Sequence, residues 1–222
     1  IKDIKGLTGV TGEKAVNAIS EAKEELGKNP SEFTWMDVLL KLSSKINLTA
    51  FKALASIGFF STKNTGVNRN KALYEYLIFR ELTKVELGWV QKHYPQKRWS
   101  TLKDCFTDLA PTKKLGGGTS NVNRSQIVRN EVDMLESPPY DLSDDPAWII
   151  EQENKFLGCP VSLSKVESSD TSSANTFCKD VLNGKIGKNI CIAANLNRVN
   201  NHKVKKGKTK GKLMSFLTIE DT

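Results

Sequence analysis

Apolar residues recur at helical spacing through most of the chain and at a spacing of two only near its end. Ala15, Val16, Ala18, Ile19, Ala22 and Leu26 mark a first amphipathic helix, entered from a glycine-rich turn and closed by Gly27 and Pro30. Thr34-x-x-Asp37 is a capping box for a second helix carrying Met36, Val38, Leu39, Leu40 and Leu42. Asn47 caps a short third helix with Phe51, Leu54 and Ala55, which stops at Ile57-Gly58-Phe59. From Asn68, the positions of Ala72, Leu73, Tyr76, Leu77 and Val85 predict a longer fourth helix.

Residues 88–143 carry a weaker pattern. Thr101-x-x-Asp104 opens a short helix, residues 113–123 read as a flexible glycine-rich linker, and residues 126–135 as a helix broken at Ser137-Pro138-Pro139-Tyr140. Asp145-Pro146 then sets a cap and an N1 proline before a helix through Trp148, Ile149, Phe156 and Leu157, ended by Gly158 and Pro160. A serine-rich stretch, 162–173, reads as a linker. Beyond it Ile190, Ile192, Ala194 and Leu196 alternate with Cys191, Ala193, Asn195 and Asn197, predicting a strand half buried on one face, and 212–219 predicts a second. The expectation is α+β overall: mostly α up to residue 161, a linker over 162–184, then strands over 185–222.

Charge narrows the partners. Lys and Arg number 33 against 25 Asp and Glu, a net charge of +8 with a pI near 9.2, which favours polyanions. The apolar runs are too short for a membrane span, and the polar N-terminus lacks a signal-peptide pattern. Cys105, Cys159, Cys178 and Cys191 form no C-x-x-C pair, and His93 and His202 lie near none of them in sequence. Reduced thiols, a cytoplasmic location and no metal site are the corresponding expectations. Beginning at Ile1 and ending at Thr222 in a strand-like stretch, the sequence reads as a segment of a larger protein.

Three stretches carry candidate chemistry. Gly6, Gly9 and Gly12 precede or enter the first helix, whose leading N–H groups lack intrahelical partners and sit at the positive end of the dipole; with Lys14 they suit a phosphate. This is the logic of a helix-hairpin-helix grip on a nucleic-acid backbone, and an ordinary capped turn is the alternative. The turn at Gly58 repeats the pattern, with a plain helix C-cap as its alternative. Arg198, Lys203, Lys205, Lys206, Lys208, Lys210 and Lys212 lie on or between the predicted strands, a surface for single strands or simply a solubilising tip. The run His93-Tyr94-Pro95-Gln96-Lys97-Arg98-Trp99 could stack on bases or surround a buried Trp, and Asp144-Asp145 is better accounted for by capping than by a metal pair.

The order of these parts resembles the C-terminal half of the alpha subunit of bacterial DNA polymerase III, the replicative C-family DNA polymerases, or a phage homologue. Ile4-Lys5-Gly6-Leu7 with Gly12-Glu13-Lys14-Ala15 is similar to that family's I-K-G-V-G-E-K-A hairpin. Glu32-Phe33 through Asp37, and the stretch from Leu48 to Phe60, are similar to its linking helix and second hairpin. Glu153-Asn154-Lys155-Phe156-Leu157-Gly158 resembles E-K-E-x-L-G-F, and Lys210-Gly211-Lys212-Leu213-Met214-Ser215-Phe216-Leu217-Thr218-Ile219-Glu220-Asp221 resembles the family's K-G-K-x-M-A-F-x-T-L-E-D signature. These stretches cover about half the chain. The sequence departs from the pattern in three places. Thr8 to Thr11 are extra, either inserted before Gly12 or widening the hairpin; Cys159-Pro160-Val161-Ser162 replaces an aromatic and a Ser-Gly-His-Pro run; and 88–143 exceeds the usual spacing, which points to a divergent, viral-like member.

The resemblance implies a tandem helix-hairpin-helix domain over 1–87, a helical extension over 88–161 and the first strands of an incomplete OB-fold over 185–222. It implies duplex-backbone contacts at Gly6, Gly9, Gly12, Lys14 and Gly58, and single-strand contacts at Arg198 and the lysines from Lys203 to Lys212. No catalytic residue is expected here, because the carboxylates that hold magnesium in the parent polymerase belong to its palm domain. DNA, the sliding clamp and other replisome subunits are the implied partners, in a bacterial cell or the host cytoplasm of a phage. The rival reading is a non-catalytic nucleic-acid-binding or repair protein assembled from the same two kinds of module.

Overall fold

Helix N-caps set the frame of the first half of the molecule. In the computed structural model, which describes residues 4–110, 121–166, 168–184, 187 and 189–221, the order is α1 (Val10–Leu26), a 3-10 turn (Pro30–Glu32), α2 (Trp35–Leu42), α3 (Leu48–Ser56), α4 (Arg69–Arg80), α5 (Lys84–Lys97), α6 (Leu102–Leu109), α7 (Asn121–Glu136), α8 (Pro146–Leu157), α9 (Cys178–Leu182), β1 (Asn195–Lys203) and β2 (Leu213–Glu220). The fold is mixed α+β with helix dominant. It divides into two compact units, Ile1–Cys159 and Pro160–Thr222. Among the described residues no helix is long and apolar enough to cross a membrane.

In the first unit the side chains of Thr34, Asn47, Asn68, Thr83 and Thr101 each accept the backbone N–H three residues on, and Asp145 accepts those of Ala147 and Trp148. Each such cap contributes about 1 kcal/mol. The apolar faces they position close a core around Phe51, whose ring stacks on Tyr76 at 3.5 Å and on Phe60 at 4.7 Å between centroids. Buried Trp35 donates its indole N–H to Glu75 at 2.6 Å.

Polar contacts bring α8 back onto this core. Arg69 donates to the Glu153 carboxylate at 2.7 Å and to the Ser56 carbonyl at 2.9 Å, all three residues being buried. Asp144 accepts the backbone N–H groups of Arg69 and Asn70, both at 3.0 Å, so it caps α4 from a distant loop. Lys5 donates its backbone N–H to the Phe156 carbonyl. The adjacent acids are therefore both helix caps, Asp144 for α4 and Asp145 for α8.

Several elements depart from the sequence expectation. The fourth helix is two: α4 ends at Arg80, and Val85 belongs to α5, which starts afresh from a Thr83–Glu86 capping box. The expected linker over 113–123 falls partly outside the described residues, yet α7 already begins at Asn121. The expected linker over 162–184 contains a short helix, α9. Trp99 is buried, donating its indole N–H to Asp108 and stacking near Trp89 and Tyr94, so the aromatic and basic run surrounds a packed Trp.

In the second unit β1 and β2 form one antiparallel pair. The strand begins at Asn195, later than expected, because β2 supplies partners only from Asn195 onward; Ile190, Ile192 and Ala194 precede it. Both strands are exposed along nearly their whole length, rather than half buried on one face.

Candidate nucleic-acid interface

Each unit carries a basic surface, built in a different way. The turn into α1 is shaped by two glycines. Leu7 N–H bonds the Ile4 carbonyl across a turn that puts Gly6 at φ 88°, and Gly9 follows at φ 62°, ψ −142°, a region open to glycine alone. Gly9 is the N-cap, and it has no side chain to bond the first amides of α1. The helix starts earlier than the sequence reading places it, so Gly12 lies inside α1 and is buried. A Cβ there would meet the Leu7 carbonyl oxygen at 1.8 Å; this glycine lets the entering turn close on the helix.

Gly58 ends α3 in a Schellman cap. Its N–H bonds the Ala55 carbonyl and the Phe59 N–H bonds the Leu54 carbonyl, with Gly58 at φ 79°. A Cβ at Gly58 would lie 3.0 Å from Arg69 Nε. The Gly58 amide is thus engaged within its own cap, and the missing side chain leaves room for the buried guanidinium.

Lys14 is exposed one turn into α1, and there it faces a cleft of roughly 560 Å³. Thr11 and Lys14 from α1, Lys45 and Asn47 from the α2–α3 loop, Arg80 at the end of α4 and Lys84 at the start of α5 line it, over a floor that includes Ile46 and Phe79. Among the described residues no acidic side chain lines it. Lys45 is paired with Glu21 at 2.8 Å and Glu25 at 3.2 Å; the bond to Glu21 foremost raises its pKa, burial opposes that, and Glu25 adds to the rise. Among the described residues Lys14, Arg80 and Lys84 have no ion-pair partner. Lys84 occupies the first position of α5, where a cation opposes the helix dipole at a cost of about 0.3–1 kcal/mol. Lys14, Arg80 and Lys84, none of them in an ion pair among the described residues, therefore line one space beside the starts of α1 and α5, an arrangement that an anion would relieve.

The sequence singled out only Lys14 of this group. Arg80 and Lys84 look like ordinary helix-surface cations within what reads as one continuous helix.

In the second unit Arg198 and Lys203 lie on β1, and Lys205, Lys206, Lys208, Lys210 and Lys212 on the connection to β2. The connection is folded back on itself. Val204 N–H bonds the Lys212 carbonyl, Gly211 N–H bonds the Val204 carbonyl, and Gly207 and Gly211 take φ near 88° and 89°. Among the described residues none of these seven side chains has an acidic partner.

Among the described residues no group of three or more His, Cys, Asp or Glu side chains is placed to hold a metal ion. The Asp144 and Asp145 carboxylates accept backbone N–H groups at helix starts, which does not fit the paired magnesium carboxylates of a polymerase. Comparisons with protein families, with curated proteins and with solved structures find no match to this chain.

Proposed function

We propose that this chain is a backbone-gripping, non-catalytic part of a replicative DNA polymerase of the C family. The first unit holds template–primer duplex and the β1–β2 hairpin of the second holds single-stranded template. The observation that carries the reading is the cleft at the start of α1, where Lys14, Arg80 and Lys84 meet and, among the described residues, no acid joins the lining. The lysine-bearing tip between β1 and β2 and the motif order shared with the family support it.

Under this reading the duplex contacts are the first amides of α1, reached past Gly6 and Gly9, together with Lys14, Arg80 and Lys84. Gly12 and Gly58 serve by packing, not by donating to phosphate. The helix-hairpin-helix character of the first unit and the OB character of the hairpin are parts of the same proposal. So are a bacterial or phage-infected cytoplasm and the sliding clamp as a partner. Nucleotidyl transfer, with its magnesium ions, falls to palm carboxylates of the parent enzyme.

Affinity of the chain for a primer–template duplex, measured against salt, tests the proposal. Replacing Lys14, Arg80 and Lys84 with Gln should reduce the slope of log Kobs against log salt by roughly 2 to 3, because each neutralised phosphate releases about one counterion. An unchanged slope would remove the cleft from the interface.

A further inference from the structure

The two faces of the β1–β2 hairpin have different chemistry. The register pairs Leu196 with Ile219, Val199 with Leu217, Asn201 with Ser215 and Lys203 with Leu213, and these pairs share one face. That face is aliphatic apart from the Ser215 to Asn201 hydrogen bond and Lys203. The opposite face carries His202 with Met214, Asn200 with Phe216, Arg198 with Thr218 and Asn195 with Glu220. A bulge at Asn197 keeps Leu196 and Arg198 on opposite faces, and Asn197 donates to Glu220 at 2.8 Å, engaging the one carboxylate there.

Phe216 stands in the middle of this second face, directly across from Asn200 and diagonal to Arg198 and His202. Its side chain is 56% exposed. Among the described residues no ring stacks on it and no cation sits over it. A ring left bare between a guanidinium and an imidazole, on a hairpin whose tip bears only basic charge, is unsuited to a protein core and suited to a nucleobase with its phosphates.

We propose that Phe216 is a base-stacking platform for single-stranded nucleic acid, with Arg198 and His202 flanking the sugar–phosphate chain and Asn200 offering an amide to a base edge. This rests on the single-strand reading of the second unit and adds to it a contact with the bases, which the lysines alone would not make. Charge complementarity selects the occupant: this face carries Arg198 and ends at a tip that bears lysines and no acid, while the aliphatic face opposite is the one a protein surface would cover.

The test uses the full 222-residue chain and a labelled oligo-dT of about 15 nucleotides, beside an oligonucleotide of the same length made wholly of abasic sites. The wild type should bind the base-bearing strand roughly tenfold more tightly than the abasic one. Phe216→Ala and Phe216→Leu should abolish that ratio and Phe216→Trp should keep it, with the salt dependence equal in all four proteins. Salt-dependent binding by the wild type with no preference for bases, or a preference retained in Phe216→Leu, would overturn the platform while leaving backbone binding standing. No binding of either oligonucleotide would overturn the platform and the single-strand reading together. Preference that instead follows substitutions of Leu213 or Leu217 would move the contact to the aliphatic face and overturn the assignment.

Discussion

The carbonyl oxygen of Leu7 occupies the space where Gly12 would carry a side chain, 1.8 Å from the position of its Cβ. The obstacle is backbone, so it cannot swing aside as a side-chain tip would. Gly12→Ala should therefore destabilise the first unit by about 2 kcal/mol or more, by prising the entering turn off α1. Chemical denaturation gives the comparison. Gly6→Ala, which meets nothing within 4 Å and strains only its positive φ, should cost about 1 kcal/mol. Equal losses at the two positions would show that the Leu7 contact is unimportant.

Gly58, Arg69 and Glu153 form the second structural dependency. Removing one partner of a buried ion pair leaves a desolvated charge, so Glu153→Gln should cost about 3–5 kcal/mol, and Arg69→Met a similar amount. The double variant should lose less than the sum of the single losses. Strict additivity in urea melts would mean that the pair is not coupled.

Glu131 gives the first unit a pH dependence. Burial pushes its carboxyl up to about 7 against the attraction of Arg124, with Glu86 and Glu81 raising it further, and one of its oxygens has no hydrogen-bond partner among the described residues. The folded value lies above the ordinary 4.5, so the stability it allows is fully present below about 4.5 and is lost as pH rises through 7. Glu131→Gln should accordingly leave Tm little changed near pH 4.5 and raise it near pH 8, by at most about 3 kcal/mol of stability. The same shift in Tm at both pH values would refute this.

The cysteines separate by burial. Burial, with Asp108 and Asp104 adding to it, pushes the Cys105 thiol up to about 12, whereas Cys159 and Cys191 are exposed. A thiol reagent applied at neutral pH to the native chain should label Cys159 and Cys191 at once, and Cys105 only after denaturation. Prompt native labelling of Cys105 would mean that α6 opens readily.

Capping chemistry made most of the helices legible, because Thr34, Asn47, Asn68, Thr101 and Asp145 each write their own start. Thr83 writes one as well, but an apolar period that continues to Val85 conceals it. The strand start was obscured because β1 carries Asn195, Asn197, Asn200 and Asn201, residues that strands disfavour, and only pairing with β2 holds them extended. Gly58 illustrates the limit of local reading. Its neighbours spell a C-cap, but the reason for having no side chain arrives from Arg69 in the next helix. The candidate cleft is equally non-local, since Lys14 is distant in sequence from Arg80 and Lys84 and meets them only once α1, α4 and α5 have packed.

The central claim is that this chain grips nucleic-acid backbone, and the salt dependence of its affinity for a primer–template with a single-stranded template overhang tests that most directly. The account predicts tight binding at low salt that falls steeply as salt rises. Neutralising Lys203, Lys205, Lys206 and Lys208 together should flatten the slope by about 3 units for the overhang-bearing DNA, with little effect on blunt duplex. Binding that is absent at low salt, or a slope that the quadruple variant leaves unchanged on the overhang, would contradict it.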